Sequence, residues 1–167
     1  LYHCDYSSDK IYELDPDTML DSSSGGVSSP GAVPIGIGGT STKLYHCDNN
    51  TDKIYELDLD TMLDSSSGGV SSPGTNPTGI GGTSTKLYHC DSTADKIYEL
   101  DPDTMLDSSS GGVASPSTNP FGIGGTSTKL YHCDNIADKI YELDPDTMLD
   151  TSAEGVANPN TNPFRVG

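Results

Sequence analysis

Short runs in which β-forming and polar positions alternate recur along the chain, each closed by Gly, Pro, Ser or Asp. In one stretch they read Ile-Gly-Ile-Gly-Gly-Thr at 35–40, Lys-Leu-Tyr-His-Cys-Asp at 43–48 and Lys-Ile-Tyr-Glu-Leu-Asp at 53–58. Nothing recurs at i, i+3 and i+4, and Gly, Pro, Ser, Thr and Asp dominate between the runs, which argues against helices. The three runs are expected as strands, with Ser41-Thr42 turning the first hairpin and a weaker fourth strand at 61–66 after a turn at 58–61. That turn has a chemistry of its own where it reads Asp15-Pro16-Asp17-Thr18. Asp accepts backbone N–H groups from the first position and Pro presets φ at the second, as a type I turn prefers. Leu59 replaces Pro in the second copy, which the same geometry tolerates.

The whole succession returns every 43 residues, dividing the chain into 1–43, 44–86, 87–129 and a shorter 130–167. Four short antiparallel strands in a unit of about 40–45 residues make the blade of a β-propeller. The expected fold is therefore all-β: a single propeller domain over 1–167, with four four-stranded blades.

The motifs Pro-x-Gly-Ile-Gly-Gly, Lys-Leu-Tyr-His-Cys-Asp and Asp-Lys-Ile-Tyr-Glu-Leu-Asp-Pro-Asp-Thr together resemble the blade of NHL and YVTN-type propellers. Those read P-x-G-I-A-V, L-Y-V-A-D and I-x-V-I-D-P-x-T. The likeness runs through every copy and implies fold more strongly than function; the near-identity of the copies marks a recent amplification. In that family the position of His46 is usually Val, and that of Cys47 is Ala or Thr. WD40 blades match poorly, because their signature ends in Trp-Asp and this chain has no Trp. The resemblance also implies a clasp between the chain ends. The sequence opens on a second strand and closes on Asn-Pro-Phe-Arg-Val-Gly at 162–167, so a first strand there is expected to complete the opening blade. Arg165 and Val166, standing where Gly and Ile repeat elsewhere, read as the end of an array.

Composition narrows the partners. Leu, Ile, Val and Phe number 30 of 167 residues and the net charge is −17, a combination that permits disorder. Nine Tyr and the strict alternation argue for a folded sheet instead. With eight Lys and Arg spread thinly, nucleic acid and anionic membrane are not expected as partners. The acidity suits a soluble repetitive β-protein that must avoid edge-to-edge pairing. No apolar run approaches a membrane span and no signal peptide opens the chain, which leaves the compartment undefined.

The recurring His-Cys pair invites a chemical reading. Cys4, Cys47, Cys90 and Cys133 occur once per copy, so they occupy equivalent places on different blades and do not converge on one ion or form disulfides. Small buried thiols are expected. Neighbours on a strand point to opposite faces, so His46 and Cys47 do not form a nucleophilic pair. Each imidazole is expected to bond a Tyr, an Asp or the backbone of the neighbouring blade. Asp15, Asp17 and Asp21 lack the Gly and the terminal Glu of a calcium loop and read as turn caps. Gly-Ile-Gly-Gly is unspecific as a phosphate cradle and suits close approach at a crowded axis. No catalytic residue, metal site or cofactor is expected.

The differences between copies gather in two places. One follows the second strand: Tyr6-Ser7-Ser8, Asn49-Asn50-Thr51, Ser92-Thr93-Ala94 and Asn135-Ile136-Ala137. The other precedes the first strand, at 31–35, 74–78 and 117–121. In a propeller both open on one face, while the repeated Thr-Ser-Thr-Lys and Asp-Pro-Asp-Thr turns lie on the other. A non-enzymatic scaffold is expected, binding a protein, peptide or glycan through Tyr6, Asn49, Asn50, Asn76, Asn119 and Phe121. A spacer segment of a larger surface protein and a propeller hydrolase or lyase are the competing classes. Blades meet at about 90° in a ring of four and about 45° in a ring of eight. The small Asp-Ser-Ser-Ser-Gly-Gly tract fills little of a wide wedge, so a homodimer closing an eight-bladed ring is expected.

Overall fold

The computed structural model describes residues 1–159 and contains only strands, turns and bends there. The expected strand at 162–167 lies outside the described residues. The first unit forms β1 (Tyr2–Asp5), β2 (Lys10–Glu13) and β3 (Val27–Ser28); the second forms β4 (Pro34–Gly39), β5 (Leu44–Asp48), β6 (Lys53–Leu57) and β7 (Val70–Ser71). The third comprises β8 (Pro77–Gly82), β9 (Leu87–Asp91), β10 (Lys96–Leu100) and β11 (Val113–Ala114). The fourth comprises β12 (Pro120–Gly125), β13 (Leu130–Asp134), β14 (Lys139–Leu143) and β15 (Val156–Ala157). Each unit is one antiparallel sheet in chain order, with three strands in the first and four in each of the others. These are the blades of a β-propeller. The register pairs Cys47 with Ile54 and His46 with Tyr55, and repeats in every blade.

The fourth strand is not where the sequence pattern places it. Residues 61–66 make a single bridge, Leu57 to Asp64, and the strand that pairs with β6 is Val70–Ser71. Met62 and Ser67 sit at φ 58° and 59°, in the left-handed region that interrupts a strand. Asp58 and Asp64 close the segment. Asp58 Oδ1 accepts from the Asp60 and Thr61 N–H groups, and the Asp64 carboxylate from those of Ser66 and Gly68. The fourth copy keeps this cap although Glu154, at φ 79°, replaces the glycine.

Blades pack face to face around inner strands that nearly touch. A Cβ on Gly38 would lie 2.6 Å from the Ile80 carbonyl oxygen, and one on Gly79 2.7 Å from that of Phe121, so only glycine permits this spacing. Between the second and third blades, Tyr45, Cys47 and Ile54 meet Ile80, Leu87, Tyr98, Leu100 and Met105. Equivalent clusters fill the other two junctions.

A polar latch clamps each junction on the face of the Thr-Ser-Thr-Lys hairpins. The Tyr45 hydroxyl donates to the Pro102 carbonyl at 2.6 Å, and Lys43 Nζ reaches the same oxygen at 3.2 Å while pairing with Glu56 and Asp103. Tyr88 and Lys86 hold Pro145 in the same way, and the Tyr2 hydroxyl reaches the Leu59 carbonyl. Ser41 adds bonds to the Ser84 carbonyl of the next hairpin. Invariance of this face thus has a packing cause.

Two outcomes follow. Tyr88→Phe leaves Pro145 O still bonded to Lys86, so chemical denaturation should show a loss near the low end for one hydrogen bond, about 0.5–1 kcal/mol. Gly38→Ala drives a methyl into the next inner strand and should cost about 1–3 kcal/mol or more in the same measurement.

Candidate functional site

The two variable segments lie together on the face opposite the latch. Asp48, at the end of β5, is buried and joins them. Its Oδ1 accepts from the Asn50 and Thr51 N–H groups of the turn that follows, and its Oδ2 from the Val33 N–H of the incoming link at 2.6 Å. Asp91 repeats this with Thr93, Ala94 and Asn76. One carboxylate therefore closes the turn and fixes the path by which the chain enters each blade.

Beneath this rim run the imidazoles. His46 Nδ1 lies 3.1 Å from the Gly36 carbonyl, and so donates to it, which leaves Nε2 to accept from the Ser29 hydroxyl at 3.1 Å. The ring stacks on Tyr55 at 5.9 Å between centroids. His89 and His132 repeat the arrangement. The bond to the neighbouring blade is made to a serine, not to the Tyr, Asp or backbone expected; this serine follows the outer strand of the preceding blade. Gly36 and Tyr55 belong to the histidine's own blade, because β5 is the second strand and is flanked on both sides by its own sheet. All three rings are fully buried, so these Ser-His pairs join blades structurally. Burial holds His89 and His132 down to about 4, against the pull of the Asp91 charge and the Gly79 carbonyl on the first and of the Gly122 carbonyl on the second. The four thiols are buried and no disulfide joins them, and burial pushes the Cys90 thiol well up.

The link into the fourth blade departs from this pattern at the position of the glycine. At Gly31 and Gly74 a Cβ would run into the Asp48 and Asp91 carboxyls. Ser117 occupies that place in the next link, which therefore takes another course. Asn119 adopts φ 71° and its N–H donates to Asp95 Oδ1 at 2.8 Å. Asp134 Oδ2 is left buried without a well-formed hydrogen bond among the described residues. Burial raises the Asp134 carboxyl, and the Ala137 and Ile136 N–H groups and the nearby Ser117 hydroxyl only partly offset this.

The site residues anticipated from sequence divide by role. Asn49 and Asn76 are bonded to one another across the second and third blades; Asn49 also reaches the Pro77 carbonyl and Asn76 the Ser92 hydroxyl. Asn119 contributes backbone, its carbonyl accepting from the Asn135 N–H. Asn50 and Tyr6 are exposed. Tyr6 and Phe121 share an open cleft of about 620 Å³ with His3, Asp5 and Ile35. Phe121 and Thr78 also line the upper channel, about 180 Å³, with Ile37, Ile80 and Tyr2. Ile35 and Thr78 are the residues the sequence reading passed over. The signal was present: they and Phe121 fill the one variable position of the inner strand. Each of the three falls at a register break, between Pro34 and Gly36, Pro77 and Gly79, and Pro120 and Gly122. A bulge re-aims its side chain, here towards the mouth of the channel.

No protein-family model and no curated protein sequence matches the chain. Solved structures do. The chain is similar to Myxococcus xanthus glutaminyl cyclase (TM-score 0.65, 14% identity, 90% of this chain and 68% of that one). It is also similar to a chain of a nidogen/laminin complex (0.61, 18%, 98% and 62%). A third match is virginiamycin B lyase from Staphylococcus aureus, in an inactive H270A form with quinupristin (0.60, 17%, 94% and 54%). The chain spans 38–62% of the length of the first four structures it matches. At these identities the likeness establishes the fold, a β-propeller repeat array.

Ser117→Gly should let the fourth link follow the path of the others and return a backbone N–H to Asp134. A hydrogen bond to a charged group contributes about 1.5–3 kcal/mol; the lost Ser117 hydroxyl contact and the freer unfolded glycine, which costs about 0.4–1, oppose it, so urea unfolding at pH 7 should show a net gain of under about 1 kcal/mol. The folded Asp134 pKa is raised, so its penalty belongs to the ionised form. The gain should shrink as pH falls through that pKa.

His89 and His132 set an acid limit of the opposite sign. Their folded values near 4 lie below the ordinary 6.5, so the unfolded chain binds protons first. Stability should be intact above pH 6.5 and decline towards pH 4, by on the order of 3 kcal/mol per imidazole. The exposed turn carboxylates Asp15, Asp58, Asp101 and Asp144 are held below 3.8 by their hydrogen bonds and titrate under this window. Denaturation midpoints measured across that range check the assignment.

Proposed function

We propose that the chain is a non-enzymatic binding scaffold of NHL-like blades that takes a peptide or glycan at the channel mouth on its variable-loop face. One observation carries this reading. Within an inner strand that otherwise repeats without change, the single variable position is the bulged one, and its side chains Ile35, Thr78 and Phe121 line the channel or the cleft beside it. Ile35 and Phe121 are only half-buried there, whereas Thr78 is buried and donates its hydroxyl to the Pro120 carbonyl of the next blade. Tyr6 and Phe121 add aromatic area at the rim, and Asn50 offers both a donor and an acceptor. The invariance of the opposite face, by contrast, follows from the latch and adds no support of its own.

Fold relatives include a partner in the nidogen/laminin complex as well as a lyase and a cyclase. The two variable segments of this face carry no His, Glu or Arg at 6–8, 49–51, 92–94, 135–137, 31–35, 74–78 or 117–121, which favours the binding class.

Glycan and peptide arrays probed with the purified chain test the reading. Against a ligand so found, Tyr6→Ala and Phe121→Ala should each weaken binding about tenfold, the equivalent of about 1.4 kcal/mol. The melting temperature should change little, because Tyr6 is exposed and Phe121 only half-buried. Thr42→Ala, on the exposed hairpin opposite, should leave affinity unchanged. Loss with Thr42→Ala and none with the aromatic variants would place the ligand on the wrong face for this proposal.

A further inference from the structure

Every junction within the chain uses the same two surfaces. The following blade presents a Leu from its second strand, a Tyr and a Leu from its third and the Met of its cap; the preceding blade presents Tyr, Cys and Ile with a flanking Val. Shifted by one period, the first surface on the first blade is Leu1, Tyr12, Leu14 and Met19. The second surface on the fourth blade is Tyr131, Cys133, Ile140 and Val156. Both are bare. Met19 is 63% exposed, while Met62, Met105 and Met148 are at most 5%. Leu1 is 51% and Val156 61% exposed, and Ile140 has lost the complete burial of Ile11, Ile54 and Ile97.

The latch is left half-made at the same two ends. Lys129 pairs with Glu142, as Lys43 and Lys86 pair with Glu56 and Glu99, yet among the described residues it has no Asp of a following turn. The turn of the first blade, Pro16 and Asp17, is exposed, and among the described residues no Tyr-Lys pair is set against it.

We propose that a second copy of this chain covers both ends, the fourth blade of each copy packing on the first blade of the other to close a two-fold ring of eight blades. The new junctions repeat an interface the chain already makes three times. Lys129 meets the Asp17 carboxylate as Lys43 meets Asp103 and Lys86 meets Asp146, both at 3.0 Å. Among the described residues the chain does not cover these ends itself, since no strand of the first blade packs against one of the fourth. A ring made this way forms two identical junctions together, and the second closes at high effective concentration.

Light scattering coupled to size exclusion should report about 35 kDa, twice the 17.5 kDa of one chain. Met19→Glu, at an exposed position, should give a monomer with an unchanged far-ultraviolet spectrum. With Asp17→Cys and Lys129→Cys in one chain, a short bis-maleimide should yield a covalent dimer on a denaturing gel. A wild-type monomer at micromolar concentration, a linked monomer, an open ladder of larger species, or a Met19→Glu dimer would each overturn the proposal.

Discussion

A four-stranded blade has an apolar surface on each side, and in this chain neither can be covered from within the sheet. Tyr45, Cys47 and Ile54 look one way, and Tyr55, Leu57 and Met62 the other. Burial in water's disfavour is the main stabilising term available, and here it is delivered only when one sheet lies on the next. The glycines of the inner strands follow from that demand, since they let sheets approach until backbone meets backbone. So do the repeated Lys, Tyr and Pro of the latch, which fix how one sheet lies on another once apolar contact has brought them together.

Much of this was legible in the sequence, for physical reasons. A strand with both faces buried keeps its alternation in every copy, so the three longer strands and the period showed themselves. The outer strand did not. Thr61, Met62 and Leu63 have the composition of a strand, but Asp58 and Asp64 hold the backbone by side-chain hydrogen bonds that a hydropathy pattern does not register. The latch was missed because its partners lie 57 and 59 residues apart. Asn49 and Asn76 looked like ligand groups for the same reason: each is polar, variable and in a loop, and only the fold places one against the other. The consequence of Ser117 was hidden likewise, because a missing Cβ at Gly31 matters only when Asp48 is known to stand beside it.

The two faces of the array now differ in kind. On one, variation is restrained by contacts between blades. On the other, an aspartate at the root of each loop supplies the structure, so the residues beyond it are released from packing. The bulged position is the extreme case: it sits in the most crowded strand, yet Ile35 and Phe121 there stay only half-buried, while Thr78 is buried and bonds the Pro120 carbonyl. A scaffold with that division can change what it touches at the mouth of the channel without disturbing how its sheets lie together.

The buried thiols carry a consequence of another kind. Folded, the thiol of Cys90 is held protonated and out of reach, and a protonated thiol is a poor target for oxidants. Unfolded, four cysteines become thiolate-forming and mobile on one chain, where any two can join in pairings that the blades do not allow. In oxidising surroundings unfolding is then a one-way event. Survival there is governed by how rarely the sheets part, a matter of rate, while in reducing surroundings the same chain answers to equilibrium alone.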